Sequence, residues 1–65
     1  MRLIVNGKEI EFAGRPALAE LLKEYAAGRR VAALVNNNVV PSDAQASFEL
    51  HQDDRVEILA FAGGG

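Results

Sequence analysis

The chain is 65 residues long, with no cysteine, a hydrophobic fraction of 49% and a formal net charge of −2. One domain fits that length; half the residues being apolar permits a compact core, but a deep ligand pocket of roughly 300 Å³ or more has little room, which argues against a self-sufficient enzyme. The missing cysteines exclude disulfides, thiolate catalysis and zinc ribbons, the acidic balance offers nucleic acid no basic surface, and no apolar run reaches the roughly 18 residues of a membrane helix, so the expected setting is the cytoplasm.

The opening Met1-Arg2-Leu3-Ile4-Val5-Asn6 is too short an apolar stretch for a signal peptide and reads as a strand from the start. Arg2 to Val5 and Lys8 to Phe12 are predicted strands, joined by Asn6-Gly7. Asn-Gly is the strongest short hairpin signal, because a type I′ turn needs positive φ at both central residues. Leu3 and Val5 share one face, as do Ile10 and Phe12, while Glu9 and Glu11 face water.

Ala13-Gly14-Arg15-Pro16 breaks the strand pattern, and Pro16 suits the first turn of a helix. Leu18, Leu21, Leu22 and Tyr25 then follow at i, i+3, i+4 and i+7, one helical face. Gly28 is the expected left-handed cap after Ala26-Ala27, and no good side-chain N-cap precedes the helix. Val31 to Val35 is an apolar run expected to be covered on one face and partly on the other. Asn36-Asn37-Asn38 is a turn, since Asn tolerates left-handed φ. Val39-Val40 is a short return strand stopped by Pro41. Ser42 and Gln45 fit a capping box over one helical turn, Phe48 and Leu50 tuck inward, and Gln52-Asp53-Asp54 turns the chain into a last strand, Arg55 to Ala60.

A helix must bury its apolar stripe against a sheet face. Hairpin, crossover helix and further strands therefore give an α+β fold, a β-grasp in which a mixed sheet wraps one main helix. Its expected extent is residues 1–61, with 62–65 as a flexible, Gly-rich C-terminal tail.

This layout with a terminal Gly-Gly resembles ubiquitin-like proteins. Within them, the wording is similar to the thiamine-biosynthesis sulfur carrier family, ThiS. The resemblance is carried by Met1-Arg2-Leu3-Ile4-Val5-Asn6-Gly7 and Leu18-Ala19-Glu20-Leu21-Leu22. It continues through Val31-Ala32-Ala33-Leu34-Val35-Asn36, Val39-Val40-Pro41, Asp54-Arg55-Val56-Glu57-Ile58 and Gly63-Gly64-Gly65. Each stretch alone is weak, and the combination is specific. Two departures stand in turns: Asn37-Asn38 replaces a Gly-containing turn, and Asp53 stands where a Gly commonly precedes the Asp of the last turn.

The resemblance implies that the working group is the Gly65 carboxylate. A terminal carboxylate has a pKa of about 3.3–3.7 and is ionised at neutral pH, which makes it a poor electrophile. In the family ATP activates it as an acyl-adenylate, and sulfur then displaces AMP to leave a thiocarboxylate. The chain itself is expected to have no catalytic residue and to bind no cofactor, ATP and Mg being used by the activating partner. The implied partners are a ubiquitin-activating-type adenylyltransferase, a thiazole synthase, and a sulfur donor such as a cysteine desulfurase. Gly63 and Gly64 supply slimness for entry into a partner's active site, because glycine lacks Cβ.

Leu59 and Phe61 fall on the outer face of the last strand, opposite Val56, Ile58 and Ala60, and are the expected docking residues. His51 beside Asp53-Asp54 reads as a solvated turn rather than a metal site. Arg29-Arg30 reads as solvated or as helix-end capping, and Glu20 and Glu24 as helix-surface charge. Rival functions are the molybdopterin-synthase small subunit, which shares the tail chemistry but runs longer, a ubiquitin-like protein modifier, and a plain β-grasp binding module.

Overall fold

The structure, a computed structural model, describes residues 1–27 and 29–60. The expectations placed on Gly28, Phe61 and the 62–65 tail lie outside the described residues. Asn6 and Gly7 take φ of 51° and 81°, the type I′ signature that Asn-Gly favours. They join β1 (Arg2–Val5) to β2 (Lys8–Glu11), with Val5 opposite Lys8 and Leu3 opposite Ile10. Phe12 follows the strand; its N–H still donates to the Met1 carbonyl at 2.8 Å, and its side chain is buried. Gly14 lies so close to that ring that a Cβ there would come within 2.8 Å of Phe12 Cζ, so this approach requires glycine.

Helix α1 spans Leu18–Tyr25 and starts two residues after Pro16, which the sequence placed in the first turn. Pro16 belongs instead to an extended lead-in, where its carbonyl accepts from Leu50 N–H at 2.7 Å and Ala17 bridges Glu49. Ala17 is the N-cap and offers no side-chain bond. The orphan amides of the first turn are met from elsewhere: Leu18 N–H donates to the Phe48 carbonyl at 3.0 Å and Ala19 N–H to the Gln45 carbonyl at 3.1 Å. Leu18, Leu21 and Leu22 are buried as the stripe predicts, but Tyr25 is 46% exposed. Tyr25 is the last helical residue, and the buried place beyond Leu22 goes to Ala26. Ala27 is left-handed, at φ 52°.

Strands β3 (Val31–Val35) and β4 (Asn38–Val40) are joined by Asn36 and Asn37, at φ 51° and 71°; Asn38 opens β4 rather than completing the turn. The Ser42–Gln45 capping box does not form. Ser42–Ala44 is a 3-10 turn with Pro41 at its N-cap, and the Gln45 side chain donates back to the Val40 carbonyl at 3.4 Å. Leu50 is buried, and Phe48 packs partly buried against the core.

The final strand β5 (Arg55–Ala60) enters the middle of a five-stranded sheet of order β2-β1-β5-β3-β4. It runs parallel to β1 and antiparallel to β3. Leu3, Val5, Val31, Ala33, Val35, Val40 and Val56 form one buried face under α1, which is the expected mixed-sheet α+β arrangement. The turn into β5 is fixed by Arg2 Nε on Asp53 Oδ1 at 2.6 Å. That hydrogen bond holds the Asp53 carboxyl below its ordinary range and raises the Arg2 guanidinium. Asp53 has φ 68° and Asn37 φ 71°, so both departures from the family wording occupy left-handed positions where glycine is at ease.

Leu21 has no exposed surface. Leu21→Ala is expected to cost about 2–5 kcal/mol, the usual range for such core truncations, out of the ~3–5 kcal/mol that a core this small supplies; urea denaturation checks it, and an unmoved midpoint contradicts the packing. Ala27→Gly is expected to act oppositely. The left-handed penalty of about 1–2 kcal/mol for an L-residue exceeds the roughly 0.5–1 kcal/mol entropic cost of glycine, so the midpoint rises by the equivalent of up to about 1 kcal/mol.

Candidate functional site

The site is built on β5 and on what it presents. Strand alternation divides its side chains between two faces. Val56 is buried and Ile58 packs partly buried against the core, while Leu59 on the other face is 52% exposed. Leu59 lies opposite Ala32, and Glu57 opposite Leu34, on β3; Leu34 in turn lies opposite Val39 on β4. Ala32 and Leu34 are half-buried, and Val39 is 69% exposed. Leu59, Ala32, Leu34 and Val39 therefore make one apolar strip across three strands of the outer sheet face, with the exposed Glu57 and Arg55 beside it. Scattered exposed apolar residues are ordinary, and their contiguity here makes this face the candidate docking surface.

The sequence located Leu59 correctly on the outer face. Phe61, Gly63, Gly64 and Gly65 lie outside the described residues. Val39, Leu34 and Ala32 were missed as members of the strip. The signal was present: in Val39-Val40 one side chain must face out, and in Val31 to Val35 the even-numbered residues must. The second run is covered on one face and partly on the other, as expected; what went unused was that its partly covered face continues the Leu59 side of β5.

The remaining candidates stay apart from this strip. His51 Nε2 lies 3.5 Å from Glu49 Oε1, and Nδ1 lies 3.9 Å from Asp54 Oδ2, on an exposed turn. Glu20 pairs with Lys23 at 3.0 Å along the helix surface. A groove of about 410 Å³, open to solvent, is lined by Ile4, Asn6, Gly7, Arg55, Val56 and Glu57. No helix among the described residues is long and apolar enough to cross a membrane.

A mixed sheet wrapped on one helix, with its last strand central and an apolar strip on its outer face, defines a ubiquitin-like β-grasp protein. The chain belongs to the ThiS family, whose family model matches residues 3–65. It is similar to the crystal structure of the thiamine biosynthesis protein ThiS from Geobacter metallireducens, at TM-score 0.80 and 32% identity over 100% of both chains. An NMR solution structure of a thiamine biosynthesis protein from that organism matches at TM-score 0.77 and 33% identity, covering 100% of this chain and 88% of the other. Among curated proteins, a thiazole synthase from Paramagnetospirillum magneticum is 36% identical over 66 residues. That match takes in 100% of this chain but only 20% of the relative, so the chain spans about a fifth of that protein's length.

Proposed function

We propose that this protein is the sulfur carrier for thiazole formation in thiamine biosynthesis, and that Gly65 carries the sulfur. The observation that supports the reading most is the extent of the family match, residues 3–65, which takes in the glycine run as well as the folded body. The thiazole synthase relative supports the assignment to thiazole chemistry, because one stretch of it resembles this whole chain.

The proposed chemistry follows from the poor electrophilicity of a carboxylate. A Gly65 carboxylate oxygen attacks the α-phosphorus of ATP in a partner's active site, pyrophosphate leaves, and an acyl-adenylate forms. A sulfur nucleophile, supplied by a donor such as a cysteine desulfurase, then attacks the acyl carbon and displaces AMP. When the donor holds the sulfur as a persulfide, this leaves an acyl disulfide; a thiol then attacks the donor's sulfur, forming a disulfide with it and releasing the thiocarboxylate, which a thiazole synthase consumes. Apart from the reacting Gly65 carboxylate itself, the chain contributes no acid, base or nucleophile to these steps. It contributes a body to be gripped and a slim arm: five residues from Phe61 to Gly65 span at most about 17 Å at ~3.3–3.6 Å each. Ordering that arm costs roughly 1–2 kcal/mol per residue, so docking must offset it. The strip of Leu59, Ala32, Leu34 and Val39 is the proposed grip for the adenylyltransferase, with Phe61 the further docking residue that the sequence suggests.

Leu59→Ala is expected to weaken binding to the activating enzyme by ~2 kcal/mol, as for an apolar hot spot, while stability moves by less than about 1 kcal/mol because the side chain is half-exposed. Titration calorimetry and urea denaturation separate the two; unchanged affinity removes Leu59 from the interface. Deleting Gly65 withdraws the reacting carbon by about 3.3–3.6 Å, beyond the ~1 Å error that can already cost about 100-fold in rate. Adding a residue after Gly65 converts that carbon into an unreactive amide. Both changes are expected to abolish ATP–pyrophosphate exchange and the mass gain of replacing one oxygen by sulfur, with the fold intact. Activation of the extended protein without trimming, or no activation of the native one by any such enzyme, defeats the carrier reading and leaves a plain binding module.

A further inference from the structure

We infer that Asn6 is a positioning residue for the tail, acting through a hydrogen bond from its side chain to the backbone of β5; the role rests on the carrier reading. The inference begins with an asymmetry in how β5 is held. On its β3 side the pairing runs from Val35↔Val56 out to Val31↔Ala60, the strand's last residue. On its β1 side the ladder stops at Ile4↔Arg55 and Val5↔Val56, with Ile4 N–H on the Asp54 carbonyl at 3.0 Å and Asn6 N–H on the Val56 carbonyl at 2.9 Å. At Asn6 the chain turns left-handed into β2, and the solvent-open groove lined by Asn6, Gly7, Val56 and Glu57 appears where β1 leaves.

The next rung on that side needs an acceptor for Ile58 N–H. Asn6 Oδ1 supplies it at 2.8 Å, across 52 residues of sequence. One residue thus makes the hairpin turn with its backbone and extends the parallel ladder by one rung with its side chain. Only Gly, Asn and Asp visit this backbone region with ease, and of these only Asn and Asp carry an acceptor. Ile58 lies two residues before the end of β5, so the bond is made close to the point in the chain where residues 61–65 follow. Without it, this flank of the strand end loses a tie while the β3 side remains paired. Leu59 keeps its pairing with Ala32 on β3, and the rest of the strip lies on β3 and β4, so docking persists, but the root of the arm swings relative to the docked body.

The prediction separates positioning from stability. With the carrier as varied substrate in ATP–pyrophosphate exchange, well below the unfolding transition, Asn6→Gly keeps the turn and loses the acceptor. It is expected to lower kcat about tenfold with KM within about twofold, the pattern of a misplaced reacting group rather than of weakened binding. Asn6→Asp keeps the acceptor and is expected to retain kcat within about twofold of wild type. Amide hydrogen exchange gives an independent readout: Ile58 N–H is protected in the wild-type protein and in Asn6→Asp, and exchanges faster in Asn6→Gly while Val56 stays protected. Wild-type turnover in Asn6→Gly, an equal loss in both variants, or an unprotected Ile58 amide in the wild-type protein each overturns the role of Asn6 alone. If Asn6→Gly does not fold, Ile58 exchange in the wild type and Asn6→Asp decides: slow in both supports the role, and fast in either overturns it. A wild-type protein that no activating enzyme adenylates overturns the carrier reading, and this role with it.

Discussion

The last strand of the chain must be inserted between the first and the third, and most of the architecture serves that insertion. β5 has two neighbours, and contacts between the chain's opening and closing segments, such as Arg2 with Asp53, span 51 residues. Loop closure over such separations grows only slowly with length, about 0.6 kcal/mol per doubling. The constraint is therefore geometric more than entropic: backbone groups on both flanks of a late-arriving strand need partners. Two hairpin turns supply part of the answer. Asn36 donates its N–H to the Arg55 carbonyl at 2.8 Å and accepts from Arg55 N–H on Oδ1 at 3.0 Å. Asn6 does the corresponding work for Ile58 on the opposite flank. Each asparagine is left-handed, so the conformation that makes the turn also aims the side chain at β5.

The helix is tied down by the same economy. It has no side-chain N-cap, and its first amides are met by carbonyls of Gln45 and Phe48. The connection between β4 and β5 therefore does more than span a gap. It closes the helix start, sends Leu50 into the core and delivers the chain to the Arg2–Asp53 turn. In a protein without disulfides and with a core of this size, tertiary hydrogen bonds of this kind take a larger share of specifying the fold than in a larger domain.

Elements specified by neighbouring residues were legible in the sequence. Asn6-Gly7 announced its turn because both φ values are local. Leu18, Leu21 and Leu22 announced their face because helical spacing is local. What failed depended on contacts across the fold. Pro16 looked like a helix start because nothing local revealed that its carbonyl pairs with Leu50 N–H. The Ser42–Gln45 box matched a pattern, but Gln45 found the Val40 carbonyl instead. The apolar strip was half legible: Leu59 followed from alternation along β5, while its continuation over Ala32, Leu34 and Val39 needed the register of three strands.

The proposed function asks little of the interior and much of one strand. A carrier whose reacting atom lies beyond the folded body has two ways to misplace it: an arm of the wrong length, or an arm whose root points the wrong way. Residue count settles the first, and no packing can alter it. The second is settled only by how β5 is held near its end. A central strand suits that task better than an edge strand, since pairing on both sides resists rotation about its own axis. Alternation then lets the same strand bury Val56 and present Leu59. On the proposed function, the grip for a partner and the anchor for the arm thereby share one element. On that account the fold is less a container for chemistry than a mount. The tightness of its core matters to function because it fixes the sheet from which the arm is aimed.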